Sequence, residues 1–176
     1  QRQFDAPASV YAIDGQTIRN SGPQVNLSDV LNQAPGVVAF NRNNYAQDLQ
    51  ISSRGFGARA TFGIRGLRLY TDGIPATMPD GQGQVSHFDI AGAQRIEVLR
   101  GSAGVLYGEG ASAGVIVITT KSGKGIERRN TASVYAGAGS FGLRELRADG
   151  TLAIGGLSLD VAAQMRKADN HRDNFA

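Results

Sequence analysis

The last third of the sequence alternates apolar and polar residues with a period of two, and this restricts it to β-strands whose two faces differ. Between residues 145 and 154 the even-numbered positions are apolar or glycine, and most odd-numbered positions are charged or polar. The alternation resumes between residues 157 and 166, and Gly155-Gly156 predicts a two-residue hairpin between the two runs. A shorter run at residues 131–137 precedes both and is joined to them through residues 139–142. The sequence therefore predicts three antiparallel strands.

Two interpretations of these strands stay open from the pattern alone. Segments of about ten residues with one apolar face are typical of transmembrane β-barrel strands. A soluble antiparallel meander with one solvated face gives the same alternation. A bacterial outer-membrane barrel needs at least about eight strands, so under the first interpretation the chain is a fragment. The polar stretch at residues 168–174 then fits the start of a loop.

The first half of the chain predicts a small mixed α/β unit. Apolar residues recur at helical spacing between Asn26 and Ala34, where Asn26 or Ser28 is the expected cap and Pro35-Gly36 the stop. An earlier helical turn is expected at residues 14–20, after an extended segment at 9–13. Strand-like runs follow at residues 37–40, 49–52, 67–71, 96–99 and 115–120. The connections at residues 55–66 and 72–84 are rich in glycine and lack regular patterning, which is typical of functional loops.

Composition and charge exclude several classes of protein. The chain has no cysteine, so no disulfide framework and no cysteine-based metal site or nucleophile exists. Its formal net charge of +3 comes from interspersed charges without a basic run, so nucleic acid is not an expected partner. No stretch approaches 18 consecutive apolar residues, so no transmembrane helix is expected.

Several glycine-containing motifs occur in order along the first two thirds of the chain. They are LSDVL at 27–31 followed by PGV at 35–37, ISSRGFG at 51–57, and YTDGIP at 70–75. The longest is RIEVLRGSAGVLYG at residues 95–108, continued by GVIVITTK at 114–121. Together and in this order they resemble the plug domain of TonB-dependent outer-membrane receptors. The resemblance covers roughly residues 6–124, and residues 130–176 are similar to the first barrel strands of the family.

The resemblance implies a fold, a function and partners. The expected fold class is a small α+β plug with a mixed sheet in residues 1–128, followed in residues 129–176 by an incomplete β-meander from a transmembrane barrel. The expected function is to occlude the barrel of an active transporter in the outer membrane of a Gram-negative bacterium, and to help bind a ferric siderophore or similar small substrate. A receptor of the ferric-citrate or siderophore type is the nearest match. Expected partners are the chain's own barrel and the TonB protein, although nothing in residues 1–7 resembles the motif that engages TonB. No enzymatic activity, cofactor or bound metal is implied.

The resemblance also implies roles for particular residues. Arg54 and Arg100 match family arginines that follow strands, and they are expected to form salt bridges with the inner barrel wall. The connections at residues 55–66 and 77–87 are expected to meet at one pole of the plug, opposite the N-terminus, and to contact the substrate. Their side chains suit a small anionic iron chelate, with charged donors, amides and apolar contacts; these residues are Arg59, Phe62, Arg65, Met78, Gln82 and Gln84.

Other motifs support alternatives. A soluble α/β binding module with a β-meander is one. A serine hydrolase is another, because residues 110–114 satisfy the G-x-S-x-G pattern around Ser112, although a strand is predicted after the serine where the hydrolase elbow needs a helix. Asp80, His87 and Asp89 could form a metal site, but the whole chain has two histidines. Four basic residues near the domain junction predict a solvated linker, or attraction to a membrane surface; they are Lys121, Lys124, Arg128 and Arg129.

Overall fold

The computed structural model describes residues 9–22, 27–41, 48–60, 63–78, 80, 82–85, 88, 90–101, 104–108, 110–121 and 130–169. The chain divides into two compact units, Gln1–Thr120 and Lys121–Ala176. The domain boundary predicted between residues 128 and 129 lies outside the described residues and stays a prediction.

Strands dominate both units, and two of the strands in the second unit are 11 residues long. The elements of the first unit are β1 (Ser9–Asp14), α1 (Gly15–Asn20), α2 (Ser28–Leu31), β2 (Val37–Phe40), β3 (Gln50–Ser53), β4 (Ile64–Arg65), β5 (Leu67–Thr71), β6 (Ile74–Pro75), β7 (Gln82–Gly83), β8 (Ala93–Arg100), α3 (Gly104–Tyr107) and β9 (Gly114–Thr120). The second unit contains β10 (Thr131–Ala138), β11 (Arg144–Ile154) and β12 (Leu157–Lys167). Among the residues that the structure describes, no helix has the length and apolar character needed to cross a membrane.

Two sheets form the first unit. One has the order β1-β8-β9-β5-β6, and the other has the order β2-β3-β4-β7. In the larger sheet β9 lies between antiparallel β8 and parallel β5, so β1, β5 and β9 run in the same direction. Leu69, Ile96 and Ile116 are fully buried at the centre of this sheet, in a single apolar core that also includes Val30 of α2 and Ile51 of β3. The connections between the strands therefore lie at the edges of a well-packed scaffold.

The helical predictions were confirmed in position, with one error at a helix start. Asp14 caps α1, and its Oδ1 accepts a hydrogen bond of 2.7 Å from the Thr17 backbone N–H. This backbone hydrogen bond lowers the pKa of Asp14. The residue at the N-cap of α2 is Leu27, and Ser28 lies within the helix as a buried residue, so a cap by Ser28 is wrong. Asn26 lies outside the described residues.

Helix α2 ends earlier in the chain than the sequence pattern predicted. The helix ends at Leu31, and hydrogen bonds from Gln33 N to Val30 O and from Ala34 N to Leu31 O form tight turns after it. The predicted apolar face is nevertheless correct, because Val30, Leu31 and Ala34 are all buried. Tertiary burial of these side chains does not require the regular helix to continue as far as residue 34.

The two unpatterned connections contain three strands that the sequence did not predict. These are β4, β6 and β7, each of only two residues. A strand of two residues is too short to display alternation, and it is recognisable only from its pairing partner.

The second unit is an antiparallel sheet of order β10-β11-β12. The pairs Leu146–Met165 and Leu152–Leu159 lie in register, so the apolar residues of the strands share one face as predicted. The large apolar side chains on this face are exposed, whereas Glu145 on the opposite face is buried. Gln164 Nε2 donates to Glu145 Oε1 at 3.1 Å, and Arg147 Nε lies 2.9 Å from the same oxygen. Polar contacts thus order one face, and the apolar face has no covering element within this unit's described residues.

Candidate ligand site and plug architecture

A cleft of about 520 Å³ lies beside the segment that follows β3. Its walls are residues 55–60 on one side and Arg65, Gly66 and Ser112 on the other. Ala113 N donates to Gly66 O at 2.9 Å, and this bond holds Ser112 beside the start of β5. The cleft is therefore built from two neighbouring segments of the chain and from Ser112, which is distant from both in sequence.

Backbone hydrogen bonds shape the first wall of the cleft. Ser53 and Phe56 exchange two backbone bonds of 3.0 and 2.9 Å, which turn the chain sharply after β3. Gln50 Nε2 donates to Ala58 O at 2.7 Å and fixes the far side of the turn. Gly57 has φ +82, and a Cβ there would lie 2.8 Å from Arg65 O, so only glycine fits this close approach of two walls.

The cleft brings together two of the predicted ligand-binding residues. Arg59 and Arg65 both line it and both are exposed. Arg65 of β4 is also the register partner of Gln82 of β7, so these two exposed side chains lie on the same face of the sheet. Guanidinium groups and a neutral amide in one region can donate several hydrogen bonds to an anionic ligand.

The connection that carries Met78 and Gln82 is a closed turn. Met78 N donates to Gln82 O at 2.8 Å, and Gln82 N donates to Asp80 Oδ1 at 3.0 Å. The base of the turn is held by Arg68 of β5, whose Nη1 lies 3.3 Å from Thr77 Oγ1 and 3.5 Å from Met78 O. Met78 and Gln82 are thus exposed on a braced turn.

The remaining predicted ligand residues have different outcomes. Gln84 is exposed and follows β7 directly. Phe62 lies outside the described residues. Sequence reasoning did not assign Phe56 and Ser112 to the cleft, although both line it. The position of Phe56 in the ISSRGFG motif could have indicated a role for it in the cleft. No local sequence pattern relates Ser112 to Arg65.

The expectation that the loops lie opposite the N-terminus is wrong for the described residues. Ser9, the first of them, pairs with Arg100, which pairs with Gly114, which in turn pairs with Leu67. These four residues form one row across the larger sheet, next to Gly66 of the cleft. Because β1, β5 and β9 run in the same direction, their N-terminal ends share an edge with the cleft.

The two arginines that were predicted to form salt bridges meet at the Pro35-Gly36 turn. Arg54 is exposed, and its backbone N donates to Gly36 O at 2.8 Å. Arg100 is half-buried, with Nη1 donating to Pro35 O at 3.0 Å and Nη2 to Ser9 Oγ at 2.7 Å. Neither arginine is fully buried, so both can reach groups outside the unit, and their bridging role stays a prediction.

The structure gives little support to the alternative hydrolase and metal sites. Ser112 precedes strand β9, where a hydrolase elbow needs a helix. Asp80 is the one described member of the suggested metal site, since residues 87 and 89 lie outside the described part. Within that part, no group of three or more His, Cys, Asp or Glu side chains could hold a metal ion.

Comparison with known proteins identifies the class. The chain matches the TonB-dependent receptor plug domain family over residues 2–115, more than half of its 176 residues, and it belongs to this family. The hemin receptor of Yersinia pestis is 33% identical over 149 residues, which cover 80% of this chain and 21% of that protein. The vitamin B12 transporter BtuB of Vibrio vulnificus is 31% identical over 148 residues, which cover 84% of this chain and 23% of that protein. The chain therefore spans between a fifth and a quarter of the length of these relatives.

Solved structures have the same fold. The pyoverdine outer membrane receptor FpvA of Pseudomonas aeruginosa superposes with a TM-score of 0.73 at 21% identity, covering 97% of this chain and 24% of that one. The siderophore receptor PirA of the same organism superposes with a TM-score of 0.59 at 26% identity, covering 93% of this chain and 29% of that one. The fold class is thus the predicted α+β plug followed by strands of an incomplete barrel.

Proposed function

We propose that this chain is the plug of an active transporter in the outer membrane of a Gram-negative bacterium, and that it occludes the transporter's barrel. The family match and the barrel-like alternation of β10, β11 and β12 support this proposal. A wide barrel would leave an aqueous lumen, and a globular unit inside it keeps the membrane sealed. No bond in the transported molecule is made or broken, so the protein is not an enzyme. Movement of the plug requires energy, for which TonB is the expected partner.

The substrate class follows from the cleft. The observation that carries it is the position of Arg59 and Arg65 on one cleft, with Gln82 beside Arg65. Two permanently charged planar donors suit a small anionic molecule such as a ferric siderophore. The relatives are named for hemin and vitamin B12, and solved structures with this fold are named for siderophores, which supports a small chelate or cofactor as the substrate class. The plug supplies part of the binding surface, and the barrel wall supplies the rest.

Binding to the full-length receptor tests the substrate site. Ferric enterobactin, ferric citrate, hemin and cyanocobalamin are titrated into the wild-type receptor, and the tightest ligand is carried forward. Arg59→Ala and Arg65→Ala should each raise its Kd about tenfold, because each removes a charge-assisted hydrogen bond. Gln84→Ala should give a smaller rise. Arg19→Ala is the control, since Arg19 is an exposed arginine on α1 and does not line the cleft. Unchanged affinity in the Arg59→Ala, Arg65→Ala and Gln84→Ala variants would overturn the ligand site but not the plug assignment.

Ion conductance tests the occluding role separately. In a planar lipid bilayer the full-length receptor should conduct no ions, and deletion of residues 1–120 should leave an open pore. Recovery of the deletion variant from the membrane fraction, with the barrel's usual resistance to unfolding in detergent, controls for correct insertion. A correctly inserted deletion variant that does not conduct would contradict the proposal.

A further inference from the structure

The apolar face of the β10-β11-β12 sheet forms a band of defined height. Seven large apolar side chains on β11 and β12 are between 45% and 72% exposed; they are Leu146, Leu152, Ile154, Leu157, Leu159, Val161 and Met165. Eight residue steps separate Leu146 from Ile154, which at about 3.4 Å per residue gives a band about 27 Å long, measured along the strands. With the tilt of about 40° that strands of outer-membrane barrels have, such a band spans about 21 Å across the membrane, which is comparable with the apolar band of about 25 Å on those barrels.

Two cations lie together at one end of this band. Arg144 and Lys167 are register partners, two residues beyond the pair Leu146–Met165 and on the same face. Both are exposed, and within the described residues neither side chain makes a hydrogen bond or ion pair. Like charges directly opposite each other destabilise a sheet, so this pair does not serve the sheet's own stability.

The opposite end of the band differs, and the difference sets its orientation. Ile154 and Leu157 flank Gly155-Gly156 there, and these four residues carry no charged side chain. Outer-membrane barrels have short turns at the periplasmic end and longer loops at the extracellular end. The two-residue turn therefore indicates the periplasmic end, which places Arg144 and Lys167 at the extracellular end, beside the longer connection at residues 139–143.

We propose that Arg144 and Lys167 bind the phosphate groups of a lipid headgroup in the outer leaflet of the membrane. The inference rests on the proposed function, because it requires the apolar band to lie in the membrane. An arginine provides a planar fork of donors for phosphate oxygens, and a lysine provides a compact point charge. Asp169 is the acidic residue at this end, and its backbone N donates to Phe141 O at 2.7 Å while its carboxylate packs against Gly142. The occupant is thus an anionic headgroup held where the band meets water.

The test measures lipid binding to the full-length receptor in a neutral detergent by native mass spectrometry. The probe is lipid A carrying two phosphates, and dephosphorylated lipid A is the matched probe. The double variant Arg144→Gln with Lys167→Gln should raise the Kd of the phosphorylated probe at least tenfold. The charge-preserving double variant Arg144→Lys with Lys167→Arg should restore most of the binding. Arg19→Glu is the control: it lowers the net charge by the same two units at an exposed residue of α1 and should have no effect.

Three results would overturn the inference. One is lipid A binding by the Arg144→Gln, Lys167→Gln variant that equals the wild type. Another is an equal loss of binding in the Arg19→Glu variant, which would indicate a general effect of net charge. The third is equal binding of the phosphorylated and dephosphorylated probes, which would refute recognition of phosphate.

A separate measurement distinguishes a failure of the headgroup inference from a failure of the proposed function. Leu159→Cys, in a receptor without other cysteines, is treated in lipid vesicles with a water-soluble maleimide. Protection is expected because Leu159 lies within the band, and Ser140→Cys in the connecting turn should react. If Leu159→Cys reacts freely, the membrane placement is wrong. If it is protected while the Arg144→Gln, Lys167→Gln variant keeps lipid A, only the headgroup inference is wrong.

Discussion

At the scale of single residues, the tightest constraint in the first unit is at Gly114, where β9 begins beside β8. Its φ is +135, which disfavours any residue with a side chain. A Cβ at this position would also collide with the Leu99 carbonyl oxygen. The close approach of these strands places Ser112 and Ala113 beside Gly66, so the glycine contributes indirectly to the cleft.

Gly114→Ala should therefore destabilise the first unit strongly. The unfavourable backbone angle costs roughly 1–2 kcal/mol and the overlap with a backbone oxygen about 1–3 kcal/mol more. Gly73→Ala is the matched control, because Gly73 has φ +83 but no atom within 4 Å of the added Cβ. That variant should lose only the first contribution, about 1–2 kcal/mol. Urea unfolding of both variants measures the difference, and equal losses would contradict the steric argument.

At the scale of elements, β2 is an edge strand whose outer backbone groups are covered. Asn32 Nδ2 donates to Ala39 O at 3.1 Å, and Ala39 N donates to Asn32 Oδ1 at 2.8 Å. Val37 N donates to Ala34 O at 3.1 Å. The side-chain amide of Asn32 thus replaces a neighbouring strand. Covering an edge in this way prevents another chain from pairing with it.

Removal of this amide should destabilise the unit and expose the edge. Asn32→Ala leaves the buried N–H and C=O of Ala39 without partners, which costs about 1–3 kcal/mol. Gln33→Ala is the control, since Gln33 is exposed on the neighbouring position. Thermal unfolding should show a lower Tm for Asn32→Ala alone. An unchanged Tm for that variant would mean that water satisfies Ala39 equally well.

At the scale of the whole molecule, the second unit leaves both an apolar face and two strand edges unpaired within its described residues. β10 and β12 each pair only with β11 there. Exposed apolar strands with open edges recruit further strands. In a full-length receptor, the remaining barrel strands and the membrane would cover them.

The 176-residue chain alone should therefore self-associate in detergent-free solution. Light scattering at rising protein concentration should show species larger than the 18.5 kDa monomer. Leu159→Lys places a charge in the middle of the apolar face. It should weaken association at least tenfold, because a tenfold change in affinity corresponds to about 1.4 kcal/mol and the loss of one buried leucine contact costs at least that much. Thr151→Lys, on the polar face, is the control. A monomeric wild type at high concentration would contradict this expectation.

The sequence by itself determined the features that depend on near neighbours in the chain. The alternation that defines β11 and β12, the hairpin at Gly155-Gly156 and the apolar face formed by Val30, Leu31 and Ala34 are all local patterns. The ordered motifs also determined the family, because each motif fits a particular turn or strand. Arg59 and Arg65 could be nominated for the ligand site because they are charged residues in a glycine-rich connection without regular patterning.

The tertiary structure alone decided which distant residues meet. Arg65 lies opposite Gln82, Asn32 covers Ala39, and Ser9 shares an edge with the cleft. Each of these relations depends on backbone pairing between segments that are distant in sequence or, for Asn32, on a turn between two elements. Backbone hydrogen bonds are the same for every residue type except proline, so side-chain patterns do not encode which strands pair or in which direction. The common direction of β1, β5 and β9, which places the cleft beside Ser9, follows from that pairing.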